Sequence, residues 1–231
     1  MEAERGLILS HGDDGPAGLL GEWLTERGCR YDVHDVTKAP LPALGGYSFV
    51  ASLGSERSAT DAEIRWVADE IELLREAIAA DVPVLGLCFG GQALSIALGG
   101  EVVRATKPQV GWFELSGGAD GIPSGPWFHW HYEQLSVPPG GAALAHSEAG
   151  PAGFRHGRHL GLQFHPEATL EVIATWSRSE DQLARLGVSP AELRAESERR
   201  AARAPPRLGA VRAVVAGPRR GYAGLASTAP R

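Results

Sequence analysis

One short segment constrains this chain more than any other. Pro83-Val84-Leu85-Gly86-Leu87-Cys88-Phe89-Gly90-Gly91 is an apolar run that ends in a cysteine with glycine two residues before and two after. A stretch apolar on both faces predicts a central parallel strand over residues 83–88. Glycine at both flanks removes the β-carbons that would collide in a tight strand-to-helix turn, and such a turn lifts the sulfur above the carboxyl edge of a sheet. The helix expected next, roughly residues 90–98, points its free N–H groups and its dipole at that sulfur. This favours thiolate over thiol and offers donors to an oxyanion. From the hexapeptide alone, a buried core cysteine before a glycine-rich turn is the competing reading.

The flanking sequence supports the sheet. Residues 6–10, 31–36 and 49–53 read as strands, the last ending at Gly54. Between them, Leu19, Leu20, Trp23 and Leu24 mark one face of a helix that stops at Gly28, with His11 to Pro16 as a loop. Thr60-Asp61-Ala62-Glu63 resembles a capping box, and Ile64, Val67, Ile71, Leu74 and Ile78 follow with helical period. Short strand-like runs separated by Gly/Pro turns then occupy 101–106, 111–115, 127–131, 142–147 and 159–164, which suggests antiparallel strands or hairpins added to the sheet. Leu170, Ile173, Trp176, Leu183 and Leu186 fit one amphipathic helix, and Ser189-Pro190-Ala191-Glu192 starts another. The pattern predicts an α/β fold with a central, mainly parallel sheet covered by helices on both faces.

Charge and composition exclude several classes. Of 231 residues, 22 are Lys or Arg and 28 are Asp or Glu, a net charge of −6, so no overall basic field invites nucleic acid or an anionic membrane. Residues 176–231 nevertheless hold eleven Arg against five acids, a basic stretch that reads as a solvated helix face and tail. No apolar run reaches the ~18 residues of a membrane span, and the first five residues are not a signal-peptide start. The chain is expected to be cytoplasmic, with Cys29 and Cys88 both reduced.

A second motif gives the cysteine a use. In Gly161-Leu162-Gln163-Phe164-His165-Pro166-Glu167, extended backbone puts His165 and Glu167 on one face, and Pro166 keeps His165 out of helical angles. A base and a group that orients it are the partners a thiol nucleophile needs. His156 and His159 stand three apart without a third ligand type, so no metal site is expected.

Together, the cysteine elbow followed by His-Pro-Glu resembles the class I glutamine amidotransferase family over roughly residues 5–177, in particular the glutaminase domain of GMP synthetase and its stand-alone relatives. The resemblance implies a flavodoxin-like three-layer fold in a domain of residues 1–187. Beyond it, 188–216 is expected as a helical extension and 217–231 as a flexible tail. It implies Cys88 as nucleophile, His165 as general acid and base, Glu167 as orienting carboxylate, and an oxyanion hole from the N–H groups of Gly54 and Phe89. Gln92 and His131 are implied in substrate binding. No cofactor or metal is implied.

Several positions depart from the family pattern. Trp130-His131-Tyr132-Glu133 stands where Trp-His-Gly-Asp is usual, Leu53-Gly54-Ser55 where Gly-Gly-Pro is usual, and Gln109 where an acid is usual. The chain has no phosphate-binding glycine loop and is too short to add an ATP-using synthetase domain. The resemblance implies L-glutamine as substrate, with ammonia passed to a separate synthetase partner. A stand-alone hydrolase of γ-glutamyl amines or peptides is the alternative, and a non-catalytic regulatory protein on this scaffold a second.

Overall fold

The structure is a computed structural model, described here for residues 5–117, 122–178 and 180–203. Strands β1 (Arg5–Ser10), β2 (Arg30–Asp35), β3 (Phe49–Ser52), β4 (Val84–Leu87) and β9 (His159–Leu162) run parallel in the order β2-β1-β3-β4-β9. The antiparallel strands β8 (Gly150–His156) and β7 (Ala142–Ser147) extend that sheet to seven. Alternation along the central strands divides the core in two. Ile8, Ala51, Leu85 and Leu87 face one side, where α1 (Gly18–Glu26) packs through Leu19, Leu20, Trp23 and Leu24. Leu7, Leu9, Val50 and Val84 face the other, against α2 (Arg65–Ala79) and α3 (Phe89–Ala97). The result is the flavodoxin-like three-layer arrangement.

The expected strand ends and first helices are present, but the middle of the chain differs from expectation. The runs at 101–106 and 111–115 are one strand, β5 (Val102–Phe113), with a register irregularity between Arg104 and Gln109. Among the described residues it pairs only with β6 (Trp127–Leu135), in a separate two-stranded sheet rather than on the main one. The additions to the main sheet are β7 and β8, and β8 forms although its first four residues, Gly150-Pro151-Ala152-Gly153, have turn composition.

Two helix boundaries also move. No capping box forms at Thr60: α2 begins at Arg65, Ile64 is its uncapped N-cap, and the Asp61 carboxylate instead accepts the Ser58 N–H inside a turn. The single helix expected over Leu170 to Leu186 is two, α4 (Leu170–Trp176), capped by Thr169, and α5 (Glu180–Arg185). Helix α6 (Pro190–Arg203) starts at Ser189-Pro190 as expected. Its Leu193 packs with Val110, Phe128, Ile173 and Leu183 between the β5–β6 hairpin and α4. The tail expected over 217–231 and the extension beyond 203 lie outside the described residues. Among the described residues, no helix is long and apolar enough to cross a membrane.

Candidate active site

Strand pairing brings three strand ends together at the carboxyl edge of the sheet. Ser52 is in register with Gly86 and Leu87 with Leu162, so the residues that follow, Gly54, Cys88 and His165, emerge from three adjacent strands. This is where ligands gather in such sheets. Cys88 has φ 52° and ψ −106°, a left-handed φ that a non-glycine residue adopts at a cost of about 1–3 kcal/mol. The elbow is clamped from both sides: the Cys88 N–H donates to Leu162 O at 2.8 Å and the Gly90 N–H to Leu53 O at 3.1 Å. A β-carbon on Gly86 would strike Gly90 O, and one on Gly90 would strike Ser52 O, which is why this turn needs glycine at both flanks.

The His-Pro-Glu segment supplies the neighbouring side chains. His165 Nδ1 donates to Glu167 Oε1 at 2.7 Å, with both side chains buried, and His165 lines one cavity with Cys88, whose Sγ–H donates to Trp130 O at 3.5 Å. Burial opposes charge on His165, but the Glu167 carboxylate and Cys88 outweigh it and push its pKa up to about 10. The Trp176 ring lies edge-on to the imidazole at 4.8 Å and donates Nε1–H to Asp14 O at 2.9 Å, pinning α4 to the loop after β1. A thiol against an imidazole whose far nitrogen is held by a carboxylate can pass its proton to that imidazole.

The cavity above Cys88 measures about 420 Å³, and Gly54, Gln92, Trp130, His131, Tyr132, His165 and Trp176 are among the residues lining it. Among the described residues, the N–H groups of Gly54 and Phe89 have no hydrogen-bond acceptor, whereas that of Gly90 does. Gln92 and His131 both line the cavity and share a partner: Gln92 Nε2 and His131 Nδ1 donate to Glu133 O at 3.2 and 2.9 Å. Since His131 Nδ1 carries the proton, its Nε2 accepts from His129 Nδ1 at 3.3 Å. Burial depresses both rings, His131 to about 4 and His129 to about 2, so both stay neutral. The Glu133 carboxylate accepts the Ser58 hydroxyl at 2.6 Å and ties the loop after β3 to β6.

Other residues around the site were not singled out from sequence. Gln163 Nε2 donates toward Cys88 Sγ at 3.9 Å while its Oε1 accepts the Leu135 N–H at 3.0 Å. The alternation Gln163, His165, Glu167 could have revealed it. His11 and Glu70, 59 positions apart, form a buried pair behind Gly54. Its one sequence signal is an acid at position 70 on the same helical face as Val67, Ile71 and Leu74.

Comparison with known proteins places the chain in a family. Residues 24–175, which hold Gly54, Cys88, His165 and Glu167, match the family described as Glutamine amidotransferase class-I. A glutamine amidotransferase-like protein of Acanthamoeba polyphaga mimivirus is 28% identical over 145 residues, 62% of this chain and 67% of that protein. The GMP synthase [glutamine-hydrolyzing] of Aeropyrum pernix is 38% identical over 109 residues, 41% of this chain but only 21% of that enzyme. A glutamine amidotransferase structure from Thermotoga maritima superposes with TM-score 0.82 at 25% identity, covering 93% of this chain and 97% of that one. The chain belongs to the class I glutamine amidotransferase family.

Proposed function

We propose that this chain hydrolyses the side-chain amide of L-glutamine through a cysteine thioester, releasing glutamate and ammonia, and that the ammonia serves a separate acceptor enzyme. The observation that carries the reading is that Cys88 at the strained elbow shares one cavity, beside Gly54, with His165, whose far nitrogen is held by Glu167 at 2.7 Å. The Cys88 thiolate adds to the amide carbon, and the oxygen takes the negative charge. The free N–H groups of Gly54 and Phe89 are suited to hold that oxyanion, at no cost in side-chain reorganisation. The C–N bond then breaks as the His165 imidazolium gives its proton to the leaving nitrogen. Water attacks the thioester with His165 as base, and glutamate leaves as the thiol reforms. Glu167 holds the ring in the tautomer and orientation both steps need.

Gln92 and His131 have the role of shaping the cavity wall at the substrate end. The Gln92 side-chain nitrogen ties α3 to Glu133 O on β6, and His131 Nδ1 donates to the same oxygen from within β6, which supports a binding role for the wall they build. No cofactor or metal enters the proposed steps.

One observation favours a second reading, hydrolysis of a larger γ-glutamyl amine. Trp130, Tyr132, Trp176 and Arg104 line the same cavity as Cys88, which offers aromatic and cationic surface to a leaving group bigger than ammonia. The test is ammonia release from glutamine by the purified chain, set beside amine release from a γ-glutamyl amine. Ammonia release that disappears in Cys88→Ala supports the first reading. Turnover of the γ-glutamyl amine alone supports the second, and turnover of neither contradicts both.

A further inference from the structure

Gly54 occupies a position that demands glycine and therefore lacks stiffness of its own. A β-carbon there would lie 2.9 Å from His165 Cε1 and 3.8 Å from Cys88 Cβ, so no side chain fits against the nucleophile and its base. Glycine, however, leaves its two flanking peptides the freest of all residues to rotate. An oxyanion donor needs the opposite, a fixed orientation before the charge develops. The peptide before Gly54 is held by the Gly90 N–H on Leu53 O at 3.1 Å. The peptide after it is held by His11, whose Nδ1–H donates to Gly54 O at 2.9 Å.

His11 is itself held. Its Nε2 meets Glu70 Oε2 at 2.8 Å, and the two side chains are 1% and 0% exposed. Glu70 Oε1 accepts the Ser52 hydroxyl at 2.6 Å, so both carboxylate oxygens are occupied. The imidazole edge also meets the Phe89 ring at 4.7 Å, so one side chain touches both residues whose N–H groups face the oxyanion in the proposed reaction. Burial works against charge on His11, but Glu70 outweighs it and holds His11 above its ordinary range. The doubly donating imidazolium is the form that serves both contacts.

We propose that His11, backed by Glu70, is a positioning residue for amide hydrolysis: it pulls the Gly54 carbonyl away from the cavity and so fixes the loop that carries one of the two oxyanion donors. The inference rests on the glutaminase reading above. In the trans Gly54–Ser55 peptide the C=O and N–H point in opposite directions. Release of the carbonyl lets that peptide turn, and a carbonyl oxygen swung toward the cavity meets the oxyanion with like charge. His11 contacts no substrate and moves no proton in the reaction.

The experiment is steady-state glutamine hydrolysis by the full chain and three variants, with Cys88 alkylation by iodoacetamide as a second readout. Alkylation proceeds at a saturated carbon and makes no oxyanion, so it reports on the thiolate alone. His11→Leu is expected to lower kcat by about 10²-fold, toward the loss of one oxyanion donor, with KM for glutamine and the alkylation rate unchanged. His11→Asn keeps a donor near the Nδ1 position and is expected to recover most of kcat, whereas His11→Gln, which reaches the Nε2 position instead, is expected not to. The Asn and Gln pair carries the test even where the Leu variant folds poorly. An active parent with all three variants at its kcat, or a matching fall in alkylation, overturns this inference alone. A parent that releases no ammonia from glutamine overturns the glutaminase reading and this inference with it.

Discussion

Glu167 Oε1 accepts the Nδ1–H of His165 at 2.7 Å across a single proline, and each side chain is almost fully buried. A carboxylate so placed fixes which imidazole nitrogen faces Cys88 and favours the imidazolium that proton transfer creates. The three residues therefore differ in how replaceable they are. Cys88→Ala is expected to abolish ammonia release and His165→Ala to come close to it. Glu167→Gln, which keeps a hydrogen-bond acceptor but not the charge, is expected to cost about 10²-fold in kcat. Steady-state assays of the three variants check this order, and a Glu167→Gln defect as large as that of Cys88→Ala would contradict it.

Acid is expected to destabilise the fold through two neutral histidines. Burial holds His129 near 2 and His131 near 4, whereas in the unfolded chain both protonate near 6.5. Below pH 6.5 the unfolded state binds more protons, so their contribution is complete above 6.5 and drains as pH falls toward 4. His11 and His165 shift upward; what they add is complete below 6.5 and drains only as pH rises above it. The acid slope between 6.5 and 5 therefore belongs chiefly to the depressed rings, at about 3 kcal/mol for the two. Urea unfolding at pH 6.5 and 5 measures it, His129→Leu should remove about half, and equal stability at the two pH values would contradict the assignment.

Helix α6 is expected to behave as part of the folded domain. Leu193 fills the space between the hairpin and α4, the Trp112 indole N–H donates to Ser197 Oγ at 2.9 Å, and the Arg200 guanidinium lies over the Trp112 ring. Leu193→Ala is expected to cost about 2–4 kcal/mol, as large-to-small changes in packed sites do. A chain ended after Ser189 should unfold at lower temperature and bind hydrophobic dyes. Thermal melts that coincide with the full chain would show α6 to be an appendage.

The sequence was most legible where local pattern and chemistry coincide. The apolar run into Gly86-Leu87-Cys88-Phe89-Gly90 needed a buried strand, a tight turn and a helix, and all three are present. His165 and Glu167 do meet, but through a turn and not through the extended backbone read from the sequence: β9 ends at Leu162, Pro166 and Glu167 lie in a turn, and the Ala168 N–H donates to His165 O at 3.4 Å. Strand partnership was less legible. β5 has the composition of any edge strand, and nothing local says that it pairs with β6 alone instead of joining the main sheet. β8 contains two glycines and a proline, which read as a turn until β7 and β9 bracket it. His11 was illegible for another reason: its partner lies 59 positions away on α2, and long-range pairing of single polar residues leaves no periodic trace.

The most direct measurement is mass spectrometry of the chain after reaction with a diazo-ketone analogue of glutamine, which traps a thiolate nucleophile that recognises the γ-glutamyl group. Neither cysteine is in a disulfide, but only Cys88 sits at a helix N-terminus in a cavity it shares with an imidazole. The expected result is one adduct, mapped to Cys88, with Cys29 unmodified and ammonia release lost in step with labelling. An adduct on Cys29, or complete labelling of Cys88 with undiminished glutamine hydrolysis, would contradict the account.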